Sequence, residues 1–109
     1  MNYTWQILRF NLSDELNHEG TLLENSIVNI KWKRIAEDTD GTKASYVGNT
    51  KLSAANTAAA DFIALNAVTK DTAVSWIEAS LDEGELARIN AQLDTKIERN
   101  RVRNVKPSF

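Results

Sequence analysis

The chain has 109 residues, of which 42% are hydrophobic and 26% are charged, as is typical of one globular domain with a modest core. It contains no cysteine, which excludes disulfides and thiolate metal sites. No apolar run approaches the roughly 20 residues that cross a bilayer, and the N-terminus lacks the charged-then-apolar layout of a secretion signal. We therefore expect a protein made in the cytoplasm, with no membrane partner.

Residues 3 to 12 predict a first strand with an irregular apolar pattern. The large apolar residues are odd-numbered up to Ile7 and even-numbered from Leu8. Either a bulge lies near this pair of residues, or both faces of the strand are covered. The stretch from 11 to 22 is polar and acidic, and we expect it to form an exposed loop.

The stretch from 25 to 50 predicts a long hairpin. Its first arm has an apolar face with Val28, Ile30 and Trp32, and a polar face with Asn29, Lys31 and Lys33. A period of two is what a half-buried antiparallel strand requires. The hairpin closes before Thr42 at an Asp-Gly pair, because glycine adopts the positive φ of tight turns. The solvent edge of the hairpin, or its polar face with Lys31 and Lys33, remains available to contact a neighbour.

The stretch from 51 to 60 consists largely of small residues and shows no clear apolar face. A loop and a weak helical turn therefore remain alternatives here. Phe62, Ile63 and Leu65 follow as three large apolar side chains. We expect them to anchor this connection against the sheet.

Two helices are predicted to close the chain. Thr69 is placed to cap the first helix, with Asp71 in its favourable first turn. Asp82 and Glu85 have the spacing of a capping box for the second helix. Apolar residues recur at helical spacing in both segments. They are Ala73, Val74, Trp76, Ile77 and Leu81 in the first, and Leu86, Ile89, Leu93 and Ile97 in the second.

These elements predict an α+β fold, in which a three-stranded antiparallel meander packs against the two C-terminal helices. The expected strands cover residues 3 to 12, 24 to 36 and 43 to 50. We assign residues 1–98 to a single domain and residues 99–109 to an extended basic C-terminal arm.

The predicted arm contains four basic residues and no acidic one, so it carries +4, whereas residues 1–98 carry −6. The acidic domain would repel phosphates, so we do not expect a nucleic-acid partner. Valines between basic residues suit an extended segment bound to an acidic neighbour, and a frayed terminus is the alternative. The predicted partner-binding residues are Arg99, Arg101, Val102, Arg103, Val105, Lys106 and Phe109.

No pattern in the chain predicts a catalytic, cofactor or metal site. His18 is the only histidine, and its acidic neighbours match no ligand spacing, so a solvated position is favoured over a metal site. The sequence Asp38-Thr39-Asp40-Gly41 has the start of a calcium loop without its later ligands, and a hairpin turn is favoured. The three tryptophans, Trp5, Trp32 and Trp76, are interpreted as core residues rather than as an exposed platform for bases or sugars.

Several short segments are informative about family membership through their order and spacing. None of them is specific to a family when taken alone. They are Tyr3-Thr4-Trp5, Leu23-Glu24-Asn25, Val28-Asn29-Ile30-Lys31-Trp32-Lys33, Asp38-Thr39-Asp40-Gly41, Gly48-Asn49-Thr50, Phe62-Ile63, Val74-Ser75-Trp76-Ile77 and Ile89-Asn90-Ala91-Gln92-Leu93-Asp94-Thr95-Lys96-Ile97-Glu98. This order resembles a family of small, largely uncharacterised proteins encoded by tailed bacteriophages, notably marine phages. The resemblance covers most of residues 3 to 98. The basic arm departs from the acidic, Pro-rich end of the family.

The resemblance implies a phage context and brings no catalytic residues. We therefore expect a non-enzymatic structural protein of the virion, assembled in the host cytoplasm and bound to other virion proteins in a homo- or hetero-oligomeric assembly. Head decoration or cement is the first expected location, and a tail or adaptor position is the second. The alternative is a small soluble phage regulator that binds and inhibits a host protein. No cofactor, metal or small-molecule substrate is expected.

Overall fold

The computed structural model describes residues 1–53, 57–101 and 107, with the backbone alone described at Arg101. Three antiparallel strands form one sheet in the order β1-β2-β3. Two short 3-10 turns, Ala59–Asp61 and Leu65–Ala67, connect the sheet to the helices. The strands are β1 (Asn2–Leu16), β2 (Leu22–Glu37) and β3 (Lys43–Lys51), and the helices are α1 (Lys70–Ser80) and α2 (Glu83–Arg101). Both helices pack on one face of the sheet, which confirms the predicted α+β fold.

The prediction of an exposed loop from 11 to 22 is wrong. β1 continues to Leu16 and β2 already begins at Leu22, so that these two residues pair across the strands. The loop shrinks to a turn held by Asn17, whose Oδ1 accepts the backbone N–H groups of Glu19 and Thr21. Polar composition was misleading because an antiparallel ribbon can expose polar side chains on one face while its backbone stays paired.

A β-bulge causes the irregular alternation of apolar residues in the first strand. The strand register shifts between Ile7 and Arg9, which leaves Leu8 as the extra residue. Ile7 pairs with Trp32 and Phe10 pairs with Ile30, so both side chains lie on the helix-covered face. One extra residue thus moves the apolar alternation from odd to even positions without exposing Phe10.

Acidic side chains of the turn between β2 and β3 accept hydrogen bonds from the backbone of that turn. The backbone N–H of Asp38 donates to the Thr42 carbonyl, and Gly41 has a φ of 86°, as the Asp-Gly pair predicts. The Asp40 carboxylate accepts the Thr42 backbone N–H at 2.9 Å, and hydrogen bonds from Thr42 lower the pKa of Asp40. The turn interpretation is confirmed, since these carboxylate oxygens stabilise backbone N–H groups.

The core lies between the sheet and the two helices. Trp32 is 2% exposed and meets Trp5 edge to face, with ring centroids 5.2 Å apart. Trp76 is only half-buried at the rim of the same cluster. Core packing is therefore confirmed for Trp5 and Trp32, and Trp76 contributes in part. The buried helix residues are Ala73, Ile77, Ile89, Leu93 and Ile97.

Both predicted helix caps are present. The Thr69 side chain accepts the Thr72 backbone N–H at 3.2 Å, and Asp82 accepts that of Glu85 at 2.7 Å. The predicted anchor before α1 is only partly correct, since Phe62 is half-buried but Ile63 and Leu65 are 39% and 36% exposed. Their 3-10 turn connection runs along the surface instead of entering the core.

Candidate functional site

The face of the sheet opposite the helices has no covering element among the described residues. Strand alternation, shifted by one residue at the β1 bulge, places the side chains that point away from the core on this face. We call the central part of this surface the open face. Its residues are Gln6, Arg9, Asn11, Asn29, Lys31, Lys33, Val47, Asn49 and Lys51.

The bulge on β1 determines one member of this set. Arg9 pairs directly with Lys31, which lies between the buried residues Ile30 and Trp32 and therefore points to the opposite face. Directly opposed residues of antiparallel strands share a face, so Arg9 also points away from the core. In a regular ladder without the bulge, Leu8 would be opposite Lys31, and Arg9 would be opposite Ile30 and would point into the core. The bulge therefore brings two cations side by side.

Two further cations complete the basic surface. Lys33 follows Lys31 on β2 by two residues and pairs with Val47, while Lys51 on β3 pairs with Asn29. Among the described residues, none of the four cations has a carboxylate oxygen within 4 Å, whereas Lys43 and Glu37 pair at 3.7 Å beside the hairpin turn. The positive charge of Arg9, Lys31, Lys33 and Lys51 is thus not neutralised by direct ion pairs within this part of the chain.

A chain of amide side chains crosses the same face. The Asn29 Nδ2 group donates to Asn11 Oδ1 and to Asn49 Oδ1, both at 3.1 Å. These bonds link all three strands and restrict the side-chain rotamers. A pre-ordered surface loses less conformational entropy on binding than a mobile one.

Apolar side chains lie among these polar groups. Val47 is 46% exposed, and Ile35 is half-buried on the central strand and pairs with Ser45. Lys33 lies opposite Val47 and two residues from Ile35. Exposed apolar side chains beside polar and charged ones are found in protein–protein interfaces.

Arg34 is a cation of β2 that lies on the helix-covered face and is buried, unlike Lys31 and Lys33. It is 9% exposed, its guanidinium lies 4.4 Å from the centroid of the Trp5 ring, and its Nε donates to Asn90 Oδ1 at 3.4 Å. Burial lowers the pKa of Arg34, although the nearby charge of Glu78 opposes this effect. Arg34 therefore belongs to the packing between sheet and helices and not to the open face.

Helix α2 also covers the outer edge of β3. Lys96 Nζ donates to the Ser45 carbonyl at 3.0 Å, and Asn100 Nδ2 donates to the Lys43 carbonyl at 2.9 Å. Side chains that bond to edge carbonyls prevent another strand from pairing there. These bonds occupy the β3 edge at Lys43 and Ser45, next to the hairpin turn.

The predicted partner-binding residues are only partly placed by the structure. The predicted start of the arm at residue 99 falls within α2, which continues to Arg101 because its last turn is fastened to β3 through Asn100. Arg99 is exposed on this helix. Val102, Arg103, Val105, Lys106 and Phe109 lie outside the described residues, and Pro107 is exposed.

Other candidate chemistry is not assembled in the part of the chain that the structure describes. There, no group of three or more His, Asp or Glu side chains could hold a metal ion. His18 is exposed in the turn between β1 and β2. No helix among the described residues has the length and apolar character needed to cross a membrane.

The sequence predicted part of the open face. The alternation of β2 identified Lys31 and Lys33, whereas Arg9 and Lys51 were missed. Arg9 reaches this face only through the bulge, and the switch of apolar parity at Leu8 was the signal that could have placed it. Lys51 required the end of β3 and its pairing with Asn29, which no local pattern marks.

Comparisons with known proteins gave one match. A family described as a domain of unknown function, DUF7936, matches residues 1–108. A search of curated proteins and a search of solved structures found no match. Because the family match covers nearly the whole chain, the protein belongs to the DUF7936 family, a domain of unknown function.

Proposed function

We propose that the protein is a non-enzymatic structural protein of a tailed-phage particle, which binds neighbouring virion subunits through its open face. The observation that carries the binding role is the opposition of Arg9 and Lys31 on an uncovered sheet face. Like charges directly opposite each other on neighbouring strands destabilise a sheet. A bulged strand that nevertheless brings them together is expected where a partner supplies the compensating charge.

The phage context is supported by the resemblance of residues 3 to 98 to phage-encoded proteins. Head decoration or cement is the first proposed position, and a tail or adaptor position is the second. A fixed, multi-copy neighbour suits a pre-ordered binding surface, because each contact then loses little entropy on assembly. Assembly would take place in the host cytoplasm.

The basic end of the chain is proposed as a second contact with a virion subunit. Arg99 is exposed on α2, and the proposed contact continues through Arg101, Val102, Arg103, Val105, Lys106 and Phe109. A variant that ends after residue 101 retains the bond between Asn100 and Lys43. It should stay folded by circular dichroism and be incorporated into particles poorly.

The test of the proposed function is mass spectrometry of purified, salt-washed particles of the phage that encodes the chain. The proposal expects the protein in a fixed ratio to a major virion protein. Absence from particles, together with abundance in the infected-cell lysate, would contradict it. That result would favour the alternative, a soluble phage regulator that uses the same face to inhibit a host protein.

A further inference from the structure

We propose that the partner of the open face is an acidic protein surface, whose Asp and Glu carboxylates pair with Arg9, Lys31, Lys33 and Lys51, while Val47 supplies an apolar contact beside Lys33. This inference rests on the proposed function and adds the chemistry of the neighbour. It concerns the sheet face and is independent of the C-terminal end of the chain.

Charge separation within the chain is the first argument. Without these four cations, 9 basic residues remain against 15 acidic ones, so the rest of the chain is acidic. The open face is therefore a positive surface on a protein of net charge −2. A surface of one sign accelerates encounter with a partner of the opposite sign and disfavours other partners.

The geometry of the cations is the second argument. Lys31 and Lys33 are two residues apart on one strand, which separates their Cα atoms by roughly 6.7 Å. Arg9 lies directly beside Lys31 on β1, and Lys51 lies on β3 in the row of Asn29. Spacings between strands and along them place all four within roughly 14 Å. A cluster of this size matches a few carboxylates on one protein surface.

The composition of the open face favours an acidic protein over a nucleic acid. No aromatic side chain is among its nine residues, so bases have no stacking platform there. Val47 instead supplies an exposed apolar contact, which suits the core of a protein interface.

A second copy of this chain fits the open face less well than a separate acidic partner. The helical side, which would be its counterpart, mixes exposed acids such as Glu85 and Asp94 with exposed bases such as Arg88 and Arg99. Docking of that surface would bring its bases as well as its acids against the open-face cations, and like charges in contact oppose association. A partner surface that is acidic throughout makes no such contacts.

The experiment measures binding of the full chain to poly-L-glutamate, to a single-stranded dT oligonucleotide and to phosphatidylserine vesicles, in the same low-salt buffer. The double variant K31Q/K33Q removes two open-face cations, and the matched control K70Q/R88Q removes two exposed cations from the helices. Circular dichroism checks that both variants fold. Backbone amide NMR shifts locate the surface that poly-L-glutamate contacts, and sedimentation measures self-association.

The proposal expects poly-L-glutamate to bind more tightly than the other two probes and to shift amides of β1 to β3 around the four cations. The double variant should lose at least about tenfold in affinity, or about 1.4 kcal/mol, while the control keeps it. Tighter binding to the oligonucleotide or vesicles, shifts confined to α2, or tight self-association abolished by K31Q/K33Q would each overturn the acidic-partner inference. The protein could be found in phage particles and yet not bind poly-L-glutamate through the open face. That pair of results would overturn the acidic-partner inference alone and leave the proposed function standing.

Discussion

Arg9 and Lys31 lie directly opposite each other on β1 and β2, on the face that the helices leave uncovered. Like charges directly opposite each other destabilise a sheet, in which a single cross-strand pair is worth about 0.2–1 kcal/mol. The variant Arg9→Gln should therefore raise the free energy of unfolding by a similar amount at low ionic strength. Salt screens exposed charges, so the gain should shrink in about 0.5 M NaCl. Urea denaturation at both ionic strengths measures the effect.

The control for this prediction is Arg88→Gln, which removes an exposed cation from α2. Arg88 is three residues after Glu85, a spacing that is neutral or mildly favourable for opposite charges. The control should therefore be neutral or slightly destabilising. A loss of stability in Arg9→Gln that is equal at both ionic strengths would show that the cation contributes to the fold and not to a strained binding surface.

Gly48 is expected to be intolerant of any side chain because of its contact with Trp32. A Cβ atom at residue 48 would overlap Cζ2 of the indole, and overpacking of this kind costs about 1–3 kcal/mol. Gly48→Ala should destabilise the fold by that amount and change the tryptophan signal in near-ultraviolet circular dichroism. Val47→Ala is the control, since its side chain is exposed. Equal stability of the two variants would contradict this account.

A relay of hydrogen bonds joins the sheet to α1. Trp32 Nε1 donates to Thr50 Oγ1 at 3.0 Å, and the Thr50 hydroxyl lies 3.1 Å from Ser80 Oγ. Ser80 Oγ donates to the Ile77 carbonyl, so the Thr50 hydroxyl is the donor to Ser80. Thr50→Val leaves the indole N–H without an acceptor and should cost about 1–3 kcal/mol. Thr50→Ser keeps the hydroxyl and should retain most of the stability in thermal unfolding.

Much of this architecture could be predicted from residue patterns with a local cause. The parity switch at Leu8 indicated the bulge, the Asp-Gly pair indicated the turn, and Thr69 and Asp82 indicated the helix starts. The full lengths of β1 and β2 could not be read in this way, because their outer parts depend on pairing with each other. Arg34 was also unpredictable, since its burial requires the rings of Tyr3 and Trp5 from another strand.

On the open face, too, some residues could be placed from a local sequence pattern, and others only from the pairing of two strands. Lys31 and Lys33 share a face because strand residues alternate, so their placement could be predicted from β2 alone. Arg9 and Lys51 join them through the register of β1 and β3 against β2. A register is a property of two strands together, and no single segment contains it.

Alkaline pH should weaken the contact between β1 and α2. The Tyr3 hydroxyl donates to Asp94 Oδ1 at 2.7 Å, and this hydrogen bond is the main reason why the pKa of Tyr3 is raised from 10.0. A raised pKa in the folded state stabilises the fold below the ordinary tyrosine pKa, and the contribution disappears as the pH rises through the folded-state value.

The variant Tyr3→Phe isolates this contribution. Wild type should lose stability relative to Tyr3→Phe above about pH 10, where the unperturbed tyrosine titrates. Below that pH the difference between the two proteins should be constant. Urea denaturation from neutral to alkaline pH gives the comparison, and a difference that stays constant through the alkaline range would contradict the assigned hydrogen bond.

The most direct test of the central claim is zero-length carbodiimide cross-linking of intact phage particles, followed by mass spectrometry. This reagent joins a lysine to a carboxylate only when the two are in contact. Our account predicts cross-links from Lys31, Lys33 or Lys51 to Asp or Glu residues of another virion protein. Cross-links that involve only lysines of the helices, such as Lys70 and Lys96, would contradict the assignment of the open face as the binding surface.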